Sequence, residues 1–252
     1  LELGDSVDLN VTATVSGFDL TLRYSGGSSS TNTFSLASSS GPVNIINEGD
    51  GTEAVTIANA NGGVFIESGD GDQSIDVLNT VGNVIVIAGD GDHSISIENT
   101  QGTVSVKTDG STANGGQETI SITNTQGNVN LDLGSATHVI DILNTLSGAS
   151  GAMLGDVSIT TAGGASNTFN VTSSSGSVTV TSGDGQHQIS IHDAGGNVAV
   201  TSGIGPHQIS IDEVGGSVLV AADISVDGEF GTNSVDIDIL AVGGSLAIST
   251  AD

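Results

Sequence analysis

From Gly69 to Gly102 the chain reads GDGDQSIDVLNTVGNVIVIAGDGDHSISIENTQG, in which short runs of alternating apolar and polar residues are separated by turns rich in Gly, Asp and Asn. Alternation with a period of two is the signature of a strand with one face buried. The same pattern recurs along most of the chain. Taking the first apolar residue after each acidic turn as a marker gives Phe34, Val55, Ile75, Ile95, Ile120, Ile140, Phe169, Ile189, Ile209 and Val235, with steps of 20 or 21 residues interrupted by longer ones of 25, 29 and 26. A second apolar residue stands two places after each marker, as in Val77 and Ile97.

A second strand follows in every unit, carried by pairs such as Val64/Ile66, Val84/Val86, Val104/Val106, Val178/Val180 and Leu246/Ile248, each preceded by Gly. Twenty residues do not accommodate a helix and two strands, and repetition at this distance is the mark of a stacked array. The prediction is an all-β fold, a β-solenoid of the parallel β-helix or β-roll kind, with about ten coils of roughly 20 residues and two short strands each. One domain covers 1–252, with 1–31 as an irregular first coil and inserted loops near 109–117, 146–154 and 222–232.

Stacking turns equivalent positions into ladders. Four residues after the marker come Ser38, Asn59, Asn79, Asn99, Asn124, Asn144, Ser173, Asp193 and Glu213, and the Asn run predicts an inward amide ladder. Two residues before the marker come Asn32, Glu53, Gln73, His93, Glu118, His138, Asn167, His187, His207 and Asn233. This column reads either as a turn ladder or, at the adjacent His187 and His207, as a transition-metal pair.

Charge sharpens the picture. The chain carries 29 Asp and Glu against 2 basic residues, Arg23 and Lys107, for a formal charge of -27. A nucleic-acid partner is excluded by the missing basic footprint. Cysteine is absent, so neither disulfides nor thiolate sites enter, and no apolar run approaches the ~18 residues of a membrane span. The N-terminal LELGDSVDLN lacks the basic and apolar regions of a signal peptide.

Asp50, Asp70 and Asp90 fall five residues before their markers, and Asp72 and Asp92 fall three before theirs. Carboxylates repeated one coil apart repel, and calcium, which accepts carboxylates and carbonyls in irregular geometry, is the cofactor they suggest. A solvated acidic rim is the other reading. At AGDGDHSIS from Ala88 the turn resembles the RTX calcium β-roll repeat GGxGxDxUx through Gly89, Gly91 and Ile95. That resemblance implies calcium at Asp50, Asp70, Asp72, Asp90 and Asp92. The sequence departs from the family where its key Asp belongs, since Glu53, Gln73 and His93 stand there.

Composition rich in Gly, Ser, Thr, Asn and Asp and nearly without Lys is similar to that of secreted bacterial β-solenoid repeat proteins of the adhesin and surface-filament type. The resemblance implies a non-enzymatic structural protein, extracellular or at the cell surface: a filament, surface layer or adhesin stalk. Two alternatives stand beside it. A polysaccharide-active β-helix enzyme would need aromatic platforms and cations, yet the chain has no Trp and one Tyr. An ice-binding solenoid would use the outward column Thr160, Thr181 and Thr201, which gives way to Asp132 and Lys107 upstream. LELGDSVDLNVTATVSG alternates without a capping helix and GGSLAISTAD stops on a strand, so end-to-end self-association, or continuation in a longer chain, is expected.

Overall fold

A computed structural model describes residues 2–3, 10–15, 19–25, 27, 29–110, 116–143, 155–163, 166–223 and 234–251. The expected loop at 146–154 lies outside the described residues, as do parts of those at 109–117 and 222–232.

Successive strands alternate between two parallel sheets, one of 12 strands running from Glu2–Leu3 to Leu246–Ala251 and one of 11 running from Asn10–Val15 to Val235–Ile239. Each strand pairs with the strand two places away in sequence, which is the connectivity of a solenoid. No helix occurs among the described residues. The repeat supplies the reason: inward positions carry Val and Ile, whose branched side chains suit a pleated, half-buried surface, and Gly-rich turns reverse the chain after each strand.

Register follows the apolar markers. Ile75 pairs with Ile95, Ile95 with Ile120, Phe169 with Ile189 and Ile189 with Ile209. In the other sheet Val84 pairs with Val104 and Val178 with Val198. These columns are the core: Ile57, Val77, Ile97, Val106, Ile140 and Val200 are fully buried and belong to one continuous apolar cluster. Each such side chain contributes about 1.5–3 kcal/mol of transfer free energy.

The structure departs from the sequence reading at the C-terminal end. Ile209 pairs with Ile237 rather than Val235, so the last step is 28 residues and Val235, not Asn233, stands opposite His207. VDIDIL offers three apolar residues at alternate places, and a slip of two keeps the same face inward, so apolar pattern alone does not choose between them. Within 1–31, Asn10–Val15 pairs with Thr31–Ser39 with a register shift between Ala13 and Thr14, and Leu20–Tyr24 pairs with Val43–Asn47. The solenoid therefore extends further toward the N-terminus than the regular markers indicate.

The two corners are built differently. One follows the long strands, where Asn59, Asn79, Asn99 and Asn124 adopt left-handed φ of 55 to 58°, a conformation Asn tolerates better than most side chains. Their amides form the expected ladder, with Nδ2 of Asn79, Asn99 and Asn124 each donating at 3.0 Å to Oδ1 of the Asn one coil earlier. The ladder is not inward. Asn59 and Asn79 are exposed and Asn99 and Asn124 half-buried, whereas the next residue in each coil (Ala60, Thr80, Thr100, Thr125) is buried. The left-handed residue swings its own side chain out and returns its successor to the interior. Asn144 lies outside the described residues.

Candidate functional site

The second corner joins the short strands to the long ones through the acidic turns. At Gly71, φ is +114° and an added Cβ would lie 2.6 Å from the Asp50 carbonyl oxygen; at Gly91, φ is +153° and the corresponding distance to Gly71 O is 2.3 Å. Coils approach too closely here for any side chain.

The acidic residues stack on this corner. The carboxylate Oδ1 of Asp70 accepts the backbone N–H of Asp90 at 3.0 Å, Asp72 accepts that of Asp92 at 3.0 Å, and Asp92 accepts that of Gln117 at 2.7 Å. Asp184 does the same for Ile204 at 2.8 Å. Each of these carboxylates thus binds a backbone donor of the next coil, a charge-assisted bond that offsets the repulsion between neighbours. Asp50, Asp70, Asp72 and Asp92 are exposed and Asp90 half-exposed. The sequence-derived candidates are therefore brought into two files, Asp70 with Asp90 and Asp72 with Asp92. Among the described residues, no three of His, Asp and Glu converge into a group able to hold a metal ion.

Beneath the turns runs a buried polar column: Asn32, Glu53, Gln73, His93, Glu118, His138, Asn167, His187 and His207 are all 0–3% exposed. The place where the RTX repeat puts its key Asp is thus interior. All four histidines of the column make one contact in common, from Nε2 to the carbonyl oxygen of a Gly four residues earlier: His93 to Gly89 at 2.9 Å, His138 to Gly134 at 3.1 Å, His187 to Gly183 at 2.8 Å and His207 to Gly203 at 2.7 Å. Gln73 substitutes for them, its amide donating to Gly71 O at 3.1 Å and Gly69 O at 3.4 Å. The column holds each turn down onto the strand that follows it. The recurrent Gly-x-x-x-His spacing was the signal for this role.

Two carboxyls share the column. Glu53 accepts hydrogen bonds from the Tyr24 hydroxyl and from Ser68 Oγ at 2.5 Å. Burial pushes its pKa up from 4.5 to about 7, against the opposing pull of the Ser68 bond. Glu118 Oε2 lies 3.0 Å from His138 Nδ1 and accepts a bond from Thr108 Oγ1 at 2.9 Å. Sequence reading gave no sign of these partnerships, because Tyr24 and Glu53 belong to different strands and Ser68 follows a third, Val64–Glu67.

His187 and His207 do lie together, but their rings are stacked 5.0 Å apart and 3° from parallel. Parallel rings present their nitrogens side by side, not convergently, which does not suit a shared metal ion. Outside the corner, Thr160, Thr181 and Thr201 stand in register and exposed, followed by Ala221.

Comparison with protein-family models, curated proteins and solved structures returned no match to this chain.

Proposed function

We propose that this chain is a non-enzymatic structural module, extracellular or at the cell surface, that builds a rod by stacking coil upon coil. One observation carries the reading. Leu246 and Ile248 stand in register with Val218 and Val220, which are 2% and 0% exposed, yet are themselves 51% and 49% exposed. Two core columns thus continue into the last described coil without a covering layer, beside a strand edge whose backbone groups invite a further strand.

The occupant that fits is another coil of the same kind, supplied by a second copy of this chain or by residues continuing it. Such a contact joins two different surfaces and so propagates instead of closing. A composition rich in Gly, Ser, Thr, Asn and Asp and nearly without Lys supports placement outside the cell. Light scattering and negative-stain imaging across a concentration series test the self-stacking form. Rods that lengthen with concentration, and that disappear in Leu246→Asp/Ile248→Asp while β circular dichroism persists, are expected. Particles that stay monomeric at every concentration would sink it.

A further inference from the structure

The interior column ends in two bases on consecutive coils. His187 and His207 are register partners, 1% and 3% exposed. The Nε2 bonds to Gly183 and Gly203 require a hydrogen on Nε2, which leaves Nδ1 bare in the neutral ring, and neither Nδ1 has a hydrogen-bond partner among the described residues. We infer that the His187–His207 pair is an acid-sensitive latch: neutral, it ties two successive turns to the strands beneath them, and protonated, it drives that corner open.

Among the described residues no carboxylate forms an ion pair with either ring. On the preceding strand, Ser166–Ser174, the neighbours are Asn167, in register with His187, and Phe169, whose ring centroid is 6.3 Å from that of His187. On the following strand Val235 faces His207, and Asp236 lines the shallow cleft outside the pair. From the other sheet, Ser182 and Ser202 bring neutral, buried hydroxyls. Asp184 in the turn is the carboxylate that acts on His187. Burial lowers the His187 pKa below 6.5 and the neighbouring His207 adds to the lowering, while the Gly183 and Gln186 backbone bonds and Asp184 oppose it. Two imidazolium rings stacked at this distance also repel.

Other members of the same column set the contrast. His138 has Glu118 at 3.0 Å from its Nδ1, so a proton there meets a counter-ion. Gln73 holds its turn with no titratable group at all, which makes Gln the replacement that keeps the tie and removes the switch.

Amide hydrogen exchange on the full chain at pH 7.5 and 5.0, corrected for intrinsic rates, tests the latch. Opening of Gln186–Ala194 and His207–Val214 is expected to rise by ~10-fold or more over this range, since an opened imidazole with its ordinary pKa near 6.5 takes up at pH 5.0 a proton that the closed His187 site disfavours. Opening of Thr52–Ala60 is expected not to rise. His187→Gln/His207→Gln should abolish the rise. An unchanged opening constant in the wild type, or a rise that survives in the double variant, overturns the inference. Should the double variant fail to fold, imidazole nitrogen shifts of the wild type decide. The His187 ring is expected to titrate below the ordinary imidazole value while the protein stays folded, and a His187 ring that titrates at about 6.5 or above in a fully folded protein refutes the latch.

Discussion

The two corners of the solenoid solve one problem, reversing a chain whose neighbours lie a strand spacing above and below, by different chemistry. At the Asn corner a left-handed residue turns the backbone and its amide bonds to the coil before, with the ladder outside and apolar residues or Thr inside. At the acidic corner Gly allows close approach, carboxylates outside accept backbone N–H groups of the next coil, and a titratable column inside ties down the turn. Between Asn59 and Asn124 the first is held by amide–amide bonds, with one carboxylate at its margin, Glu98, whose Oε1 accepts from Asn99 Nδ2 at 3.3 Å. The second is ionisable on both sides of the backbone. Over the coils from Asn59 to Asn124, response to pH and salt should therefore be concentrated on the acidic edge, whereas further along Asp193 and Glu213 take the left-handed place of Asn and His192 pairs with Asp212 and Glu213.

The largest expected effect is at Glu53. Its folded pKa lies above the unfolded value of 4.5, at about 7, so the folded state retains a proton that the unfolded chain releases. The stability this contributes is complete below pH 4.5 and is lost as pH rises through about 7, roughly 3 kcal/mol for such a shift. Denaturant titrations at pH 4.5 and 8 should show this loss in the wild type and a markedly smaller one in Glu53→Gln. Equal pH dependence in both proteins would remove Glu53 from the account.

Next comes the Asn corner. Asn99→Ala deletes the bond to Asn79 and the acceptor for Asn124 and places a Cβ residue without a polar side chain at φ 56°. A loss of about 2 kcal/mol is expected, equal at pH 5 and pH 8. Asn99→Gly should recover the backbone share and leave about 1 kcal/mol of ladder energy missing. A pH-dependent loss would break the distinction between the corners.

The smallest effect concerns the ions around Asp70, Asp72, Asp90 and Asp92. With the carboxylates of Asp70, Asp72 and Asp92 bonded to backbone N–H groups and no metal-binding cluster among the described residues, calcium should raise the melting temperature no more than sodium chloride of equal ionic strength. The residual screening effect is under about 1 kcal/mol. A calcium-specific rise that Asp70→Asn/Asp90→Asn abolishes would restore the ion site implied by the RTX-like turn.

Much of the fold was legible because Val and Ile repeat at fixed places: the register of Phe34, Val55, Ile75 and Ile95 follows directly from alternation. It failed where alternation was ambiguous, at Val235, Ile237 and Ile239. The site was half legible. Spacing aligned His93, Glu118 and His138 in one column, but whether a polar residue in a tight turn points out or in depends on the carbonyl it finds, and Gly89 and Gly134 become partners only once the turn is folded.

The Asn ladder has a direction. From Asn124 back to Asn59 each side-chain N–H points toward the preceding coil, and Asn59 passes the chain on to the Ala37 carbonyl. The Asp files run the same way, with each backbone N–H reaching back to the earlier carboxylate. Bond dipoles that all point along one axis give the rod a head and a tail. Any assembly of such rods by coil stacking must preserve that sense from subunit to subunit, so its two tips are chemically unlike, and subunits should add to them at different rates.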